Sequence, residues 1–122
     1  MPYTIGEVAR MMNIAPSTLR YYEKEGLLSL GVRASNGQRT YTDDDIATLS
    51  IIEYLKFCGL PLKEIRSFLP LVQPGGETLE ARRAIMAKER DNVLAQIAAL
   101  QTKLERLEFG CWYYETAQQY GS

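Results

Sequence analysis

Four hydrogen-bond donors recur at helical spacing within the stretch STLRYYEK. They are Ser17, Arg20, Tyr21 and Lys24. Positions i, i+3, i+4 and i+7 share one helix face, so this face carries two cations, two hydroxyls and no carboxylate. Such donors match phosphate oxygens and the base edges of a major groove. A solvated helix face, with Glu23 and Glu25 pairing to the cations, is the alternative interpretation of the same spacing.

Different donors on this face suit different contacts. Arg20 can take a guanine edge with two hydrogen bonds or hold a phosphate, whereas Ser17, Thr18 and Tyr21 suit phosphate positioning. Leu19 and Tyr22 lie together on another side of the same helix, which is free to turn inward.

Residue types limit other chemistry. The chain has no histidine, and neither Cys58 nor Cys111 belongs to a CxxC pair. No pair of carboxylates is placed for a cleft, so we expect no enzyme, no cofactor and no metal site within the chain.

The chain has 122 residues, of which 46% are apolar and 24% charged, a composition typical of globular proteins. A net charge of −1 argues mildly against nucleic acid, so any DNA-binding surface must concentrate its cations locally. The sequence shows neither a signal peptide nor an apolar run of about 20 residues, so we expect a cytoplasmic protein without membrane contact.

Two short helices should position the donors. Thr4 and Glu7 form a predicted capping box, and apolar spacing then continues to about Met12. After a break, Pro16 suits the first position of a second helix and Gly26 the position just past its end. Two helices with this connection predict a helix-turn-helix.

A β-hairpin is predicted between Leu27 and Tyr41. Leu30, Val32 and Ala34 recur at period two before a Ser35-Asn36-Gly37 turn. After the turn, Arg39 and Tyr41 share one face of a second strand. A hairpin that follows a helix-turn-helix is a wing, from which Arg33 and Arg39 could reach the DNA backbone or minor groove.

Two further helices complete the first domain. Thr42 should cap a third helix with three acids in its first turn, ending at Gly59. Its buried stripe comprises Ile46, Leu49, Ile52 and Leu55, with Ile51 alongside. A fourth helix is predicted over 61–69 and stopped by Pro70. Lys56 and Lys63 are weaker phosphate candidates.

A long helix is predicted over 78–109. Its 3.5-residue apolar repeat predicts a coiled-coil seam. The seam comprises Met86, Val93, Ile97, Leu100, Leu104 and Leu107, and it continues to Cys111. The chain offers no second long helix, so we expect dimerisation through this one.

The predicted organisation therefore has four parts. Residues 1–71 form a winged helix-turn-helix domain, 72–77 a linker, 78–110 the dimerisation helix, and 111–122 a short aromatic tail. The fold class is mainly α with a small β-hairpin wing. Trp112 and Tyr113 in the tail either pack on the dimer or contact an effector.

Two sequence blocks carry a family resemblance. YTIGEVARMMNIAPSTLRYYEKEGLL and NGQRTYTDDDIATLSIIEYLKFCGLPLKEI, followed by one long helix, resemble the MerR family of bacterial transcription regulators. The resemblance implies a homodimer with an antiparallel coiled coil that binds a pseudo-palindromic promoter element. It also implies regulation by distorting double-stranded DNA so that RNA polymerase can use the promoter.

The resemblance also implies roles for single residues. Those facing the groove or backbone would be Ser17, Thr18, Arg20 and Tyr21. Tyr22 would back the helix or reach a phosphate, and Arg39 and Tyr41 would act from the wing, with Arg33 beside them.

The signal that the protein senses is left open. Metal sensors of the family carry a cysteine near the start of the long helix, and 77–83 has none. One alternative is a thiol- or metal-responsive variant that uses Cys58 and Cys111. The simpler interpretation is that Cys58 is a small buried residue and that Cys111 is partly covered at the helix end. A DNA-architectural accessory protein is another alternative, although such proteins generally lack the long seam.

Overall fold

The computed structural model describes residues 2–28, 32–33, 37, 39–72 and 75–121. Over these residues the elements are β1 (Tyr3–Thr4), α1 (Ile5–Met12), α2 (Pro16–Lys24), β2 (Val32–Arg33), β3 (Arg39–Tyr41), α3 (Asp43–Phe57), α4 (Leu62–Phe68), a 3₁₀ turn (Leu69–Leu71) and α5 (Leu79–Gln119). Two compact units result, Met1–Arg82 and Arg83–Ser122, and each is described by itself.

The predicted capping box at the start of α1 is confirmed. The Thr4 hydroxyl accepts from the Glu7 amide, and the Glu7 carboxylate accepts from the Thr4 amide. Asn13 ends α1 in the left-handed region at φ 54°. Pro16 opens α2, and Gly26, at φ 77°, turns the chain after it, as predicted.

A three-stranded antiparallel sheet replaces the predicted two-stranded hairpin. β2 pairs with β3 as expected, with Arg33 opposite Arg39. β1 adds a third strand on the other side of β3, with Tyr3 opposite Tyr41, so β3 is central. β1 was not predicted, because a strand of two residues shows no alternation in the sequence. Of the predicted turn and first strand, Leu30, Ala34, Ser35 and Asn36 lie outside the described residues.

The third and fourth helices follow the prediction closely. Thr42 caps α3 through a second capping box, with Asp45 as its partner, and Gly59 follows the end of α3 at φ 96°. α4 spans Leu62–Phe68, and a 3₁₀ turn carries the chain on through Pro70. Pro70 therefore lies inside this turn and does not mark an abrupt stop.

The hydrophobic core of the first unit joins α1, α2, β3, α3 and α4. Leu49, Ile52 and Leu55 bury the predicted stripe of α3, while Ile46 and Ile51 are half-buried. Core side chains from the other elements are Val8, Leu19, Tyr22, Tyr41, Ile65 and Phe68. This packing stabilises helices that are too short to be stable alone.

α5 is longer than predicted. It runs for 41 residues to Gln119, so the expected tail over 111–122 is helical through Gln119 and the predicted end near Phe109 is wrong. Gly110 lowers helix stability by only about 1 kcal/mol relative to alanine, and the residues after it include no proline that would end the helix. No helix of the described residues has the length and apolar character to cross a membrane.

The capping box on α3 yields a stability prediction. Thr42→Ala removes the hydroxyl that accepts the Asp45 amide, and we expect it to lower the free energy of unfolding by about 1 kcal/mol. Thr48→Ala is the matched control, because that hydroxyl only donates back to the Asp44 carbonyl of the same helix. Urea unfolding measures both variants, and an equal loss would contradict the capping role.

Candidate nucleic-acid interface

The outward face of α2 is the surface that the sequence predicts to read DNA. Ser17, Arg20, Tyr21 and Lys24 are all exposed, and Thr18 is half-buried. Neither Arg20 nor Lys24 has a hydrogen bond or ion pair within the part of the chain that the structure describes. These donors are therefore open to solvent, and their contact with DNA stays a prediction.

Glu23 of α2 and Glu25, at the C-terminal cap of α2, do not neutralise this face. Glu25 pairs with Arg66 of α4, at 3.2 Å between Oε1 and Nη2, and its carbonyl accepts from the same guanidinium. Glu23 is buried and pairs with Arg39 of β3. The alternative in which these carboxylates pair with Arg20 and Lys24 is wrong.

Tyr22 is part of the core. It is 1% exposed, and its hydroxyl donates to Glu53 Oε2 at 2.6 Å while accepting from Lys56 Nζ at 2.8 Å. The Lys56 ammonium lies 5.2 Å from the Tyr22 ring centroid. Of the two roles predicted for Tyr22, backing the helix is confirmed. The phosphate contact is wrong because the ring is covered and its hydroxyl already has a donor and an acceptor as partners.

Tyr41 is also a core residue and not a DNA contact. Its ring is fully buried, and its hydroxyl donates to Glu23. Burial raises the pKa of the Tyr41 phenol. Arg39 pairs with Glu23 while its side chain stays 34% exposed, so a DNA contact from Arg39 stays a prediction. The Arg33 side chain lies outside the described part of the structure.

Sequence reasoning missed the structural roles of Glu23 and Glu53. Glu23 follows the buried Leu19 by four positions and so lies on the same inward stripe of α2, a spacing that could have revealed it. Glu53 is the partner of Tyr22, and its identity depends on how α2 packs against α3.

A shallow depression borders the outward face of α2. Its lining residues are Tyr21, Tyr22, Lys56, Gly59, Leu60, Leu62 and Ile65. Lys56 is exposed and keeps N–H groups beyond the one that it donates to Tyr22. This position continues the cationic surface beyond α2.

The predicted seam of α5 is largely uncovered. Met86 is half-buried, and the five later members are 37% to 66% exposed. These five are Val93, Ile97, Leu100, Leu104 and Leu107. Covering these apolar groups would stabilise the helix, because burying apolar surface is favourable, and dimerisation through the seam stays a prediction.

The effector candidates occupy two separate places. Cys58 is half-buried at the C-terminal cap of α3. Cys111 is exposed within α5, which continues to Gln119, so its predicted place at the helix end is wrong, while partial cover of its thiol by a second copy stays a prediction. Trp112 and Tyr113 are exposed, with Trp112 stacked at a tilt on Phe109 at 5.8 Å between ring centroids. An effector role for any of these residues stays a prediction.

Comparison with known proteins identifies the family. The profile for the MerR HTH family regulatory protein matches residues 3–71, and that for MerR, DNA binding matches 46–108. The chain belongs to the MerR family. This MerR-family chain is 38% identical to an uncharacterised HTH-type transcriptional regulator of Haemophilus influenzae, over all of this chain and 90% of the relative.

Other relatives give the same assignment. The HTH-type transcriptional regulator ZntR of Escherichia coli is 35% identical over 89% of this MerR-family chain and 80% of its own length. The crystal structure of HiNmlR, a MerR family regulator lacking the sensor domain and bound to promoter DNA, is similar with a TM-score of 0.69 and 38% identity, over all of this chain and 92% of that one. The protein is therefore a DNA-binding transcriptional regulator and not an enzyme.

The Tyr22 hydroxyl yields a pH prediction. Burial and the hydrogen bond to Glu53 raise the pKa of this phenol, so its contribution to stability is present below pH ~10 and is lost as pH rises toward the folded-state value. We expect Tyr22→Phe to lower the free energy of unfolding by about 1 kcal/mol near neutral pH. We also expect the variant to lose less stability than the wild type as the pH rises. Tyr21→Phe, at the exposed neighbour, is the control, and unfolding measured from pH 8 to 11 distinguishes them.

Proposed function

We propose that the protein is a homodimeric regulator that binds a pseudo-palindromic promoter element with the outward face of α2. The observation that carries this proposal is the set of exposed donors on α2 whose nearby glutamates are occupied elsewhere. A chain with a net charge of −1 can bind DNA only if its cations are left unneutralised at one place.

Some residues on this face would contact bases, and others would contact the DNA backbone. Arg20 would reach a base edge, since a guanidinium can bond two acceptors of guanine at once. Ser17, Thr18, Tyr21 and Lys24 would contact phosphates and sugars and so fix the register of the helix. Lys56 would add a phosphate contact beside them, and Arg33 and Arg39 would act from the wing.

The length and the exposed seam of α5 are the reasons for proposing a second subunit. A helix of 41 residues spans about 60 Å at 1.5 Å per residue and carries an exposed apolar seam along much of that length. We propose that two copies pair antiparallel through this seam, which would give two recognition helices related by a two-fold axis. Such symmetry matches a pseudo-palindromic site with two half-sites.

Regulation would then act through the shape of DNA. We propose that the coiled coil sets the separation of the two copies of α2 and that the DNA bends or untwists so that both half-sites meet them. We propose that this deformation changes how RNA polymerase engages the promoter in the bacterial cytoplasm. The exposed seam also argues against a monomeric architectural protein as the alternative.

Arg20→Ala tests the reading role. Loss of a bidentate base contact should weaken the binding free energy by about 1–3 kcal/mol on the operator and by much less on a random duplex. Lys63→Ala removes an exposed cation on α4 as the control, and should weaken binding to both duplexes evenly and slightly. Equal losses on both duplexes for Arg20→Ala, in fluorescence anisotropy at matched salt, would remove its base-reading role.

Leu104→Lys tests the dimer. Light scattering should give the wild-type protein about twice its chain mass of 13.8 kDa, and the variant a single chain mass, because a charge in the seam is costly to bury. Thr102→Lys places the same charge on the opposite side of α5 and should leave the dimer intact. A wild-type monomer at micromolar concentration would refute the coiled-coil pairing.

A further inference from the structure

Glu23 is the buried charged side chain of the described core, and both of its described partners come from the wing. Its side chain is 1% exposed. Its carboxylate accepts the Tyr41 hydroxyl at one oxygen and the Arg39 Nη1 at the other. Arg39 and Tyr41 are two apart on β3, so they point to the same side of that strand.

Stability alone does not explain a charge at this place. Removing a carboxylate from water costs several kcal/mol, and apolar side chains of similar volume often stabilise a core as well as a buried ion pair. A carboxylate held by two donors does restrict the directions of all three side chains, because charge-assisted hydrogen bonds depend on geometry. The cluster of Glu23, Arg39 and Tyr41, which we name the wing clamp, therefore fixes an orientation.

The elements joined by the wing clamp are those that must cooperate on DNA. Glu23 belongs to α2, one position before Lys24 and three after Arg20 of the outward face. β3 is the central strand of the sheet, paired with β1 on one side and β2 on the other. Holding β3 against α2 thus holds the paired wing strand β2 as well.

We propose that Glu23 is a positioning residue for DNA recognition, which sets the wing at a fixed place relative to the outward face of α2. The inference rests on the proposed function, since it takes that face as the surface that meets DNA. Glu23 itself does not touch DNA in this scheme. It acts through Arg39 and Tyr41.

Glu23→Gln separates positioning from charge. Glutamine retains an oxygen that can accept the Tyr41 hydroxyl, but it loses the ion pair with Arg39. The change also removes a negative charge buried beneath the outward face of α2, which by electrostatics alone should strengthen binding to any duplex. A positioning role predicts instead that the change weakens binding to the operator. The sign of the change in operator affinity therefore distinguishes positioning from a simple effect of charge.

The probes are a duplex enriched by the wild-type protein from a randomised library and a scrambled duplex of the same length. We expect Glu23→Gln to reduce the preference for the enriched duplex by about tenfold, within the range of coupling between contacting residues. Amide hydrogen exchange should speed up at Arg39–Tyr41 and stay unchanged in α3. Glu25→Gln is the control, with the same charge change at the C-terminal cap of the same helix but a partner in α4.

Each outcome decides a separate point. A Glu23→Gln preference equal to that of Glu25→Gln, with unchanged exchange in β3, would overturn the positioning role while the proposed function stands. A wild-type protein that enriches no sequence would instead refute the proposed function. If Glu23→Gln does not fold, Tyr41→Phe keeps the buried ring and removes one bond of the wing clamp; it should lower the preference in the same direction, and an unchanged preference would overturn the proposal.

Discussion

Two phenol–carboxylate hydrogen bonds fix the position of α2, the helix proposed to read DNA. Tyr22 of α2 donates to Glu53 of α3, and Tyr41 of β3 donates to Glu23 of α2. α2 has nine residues, which is too short for stability by itself, so its orientation depends on these contacts and on the burial of Leu19. The inner side of the helix determines which residues remain on the outer side.

Occupied carboxylates also explain how a slightly acidic chain can present a cationic surface. Glu23, Glu25 and Glu53 each have a partner in another element of the first unit. The acids are therefore used for internal bonds, while Arg20 and Lys24 stay available. Local arrangement of charge, and not its total, sets the electrostatic potential that DNA meets.

α5 obeys a different constraint. Within the first unit, apolar side chains cover one another, but the seam of α5 stays exposed along a helix of 41 residues. A second copy of the same helix offers a surface of matching length and periodicity, which is why the proposed interface is isologous. Phe109, Trp112, Tyr113 and Tyr114 lie in the same helix and are also exposed.

Sequence alone determined the elements whose signals are local. Capping at Thr4, the turn at Gly26 and the apolar repeat of α5 all depend on residues within one helical turn or one heptad, and the outward face of α2 follows from spacing alone. Tertiary structure decided what depends on distant neighbours. The sequence leaves Tyr22 either behind the helix or at a phosphate and places Tyr41 on the wing. Both are buried, because their partners lie 31 and 18 residues away along the chain. The strand β1 and the burial of Glu23 have the same origin, since both are completed by β3, far along the chain from either.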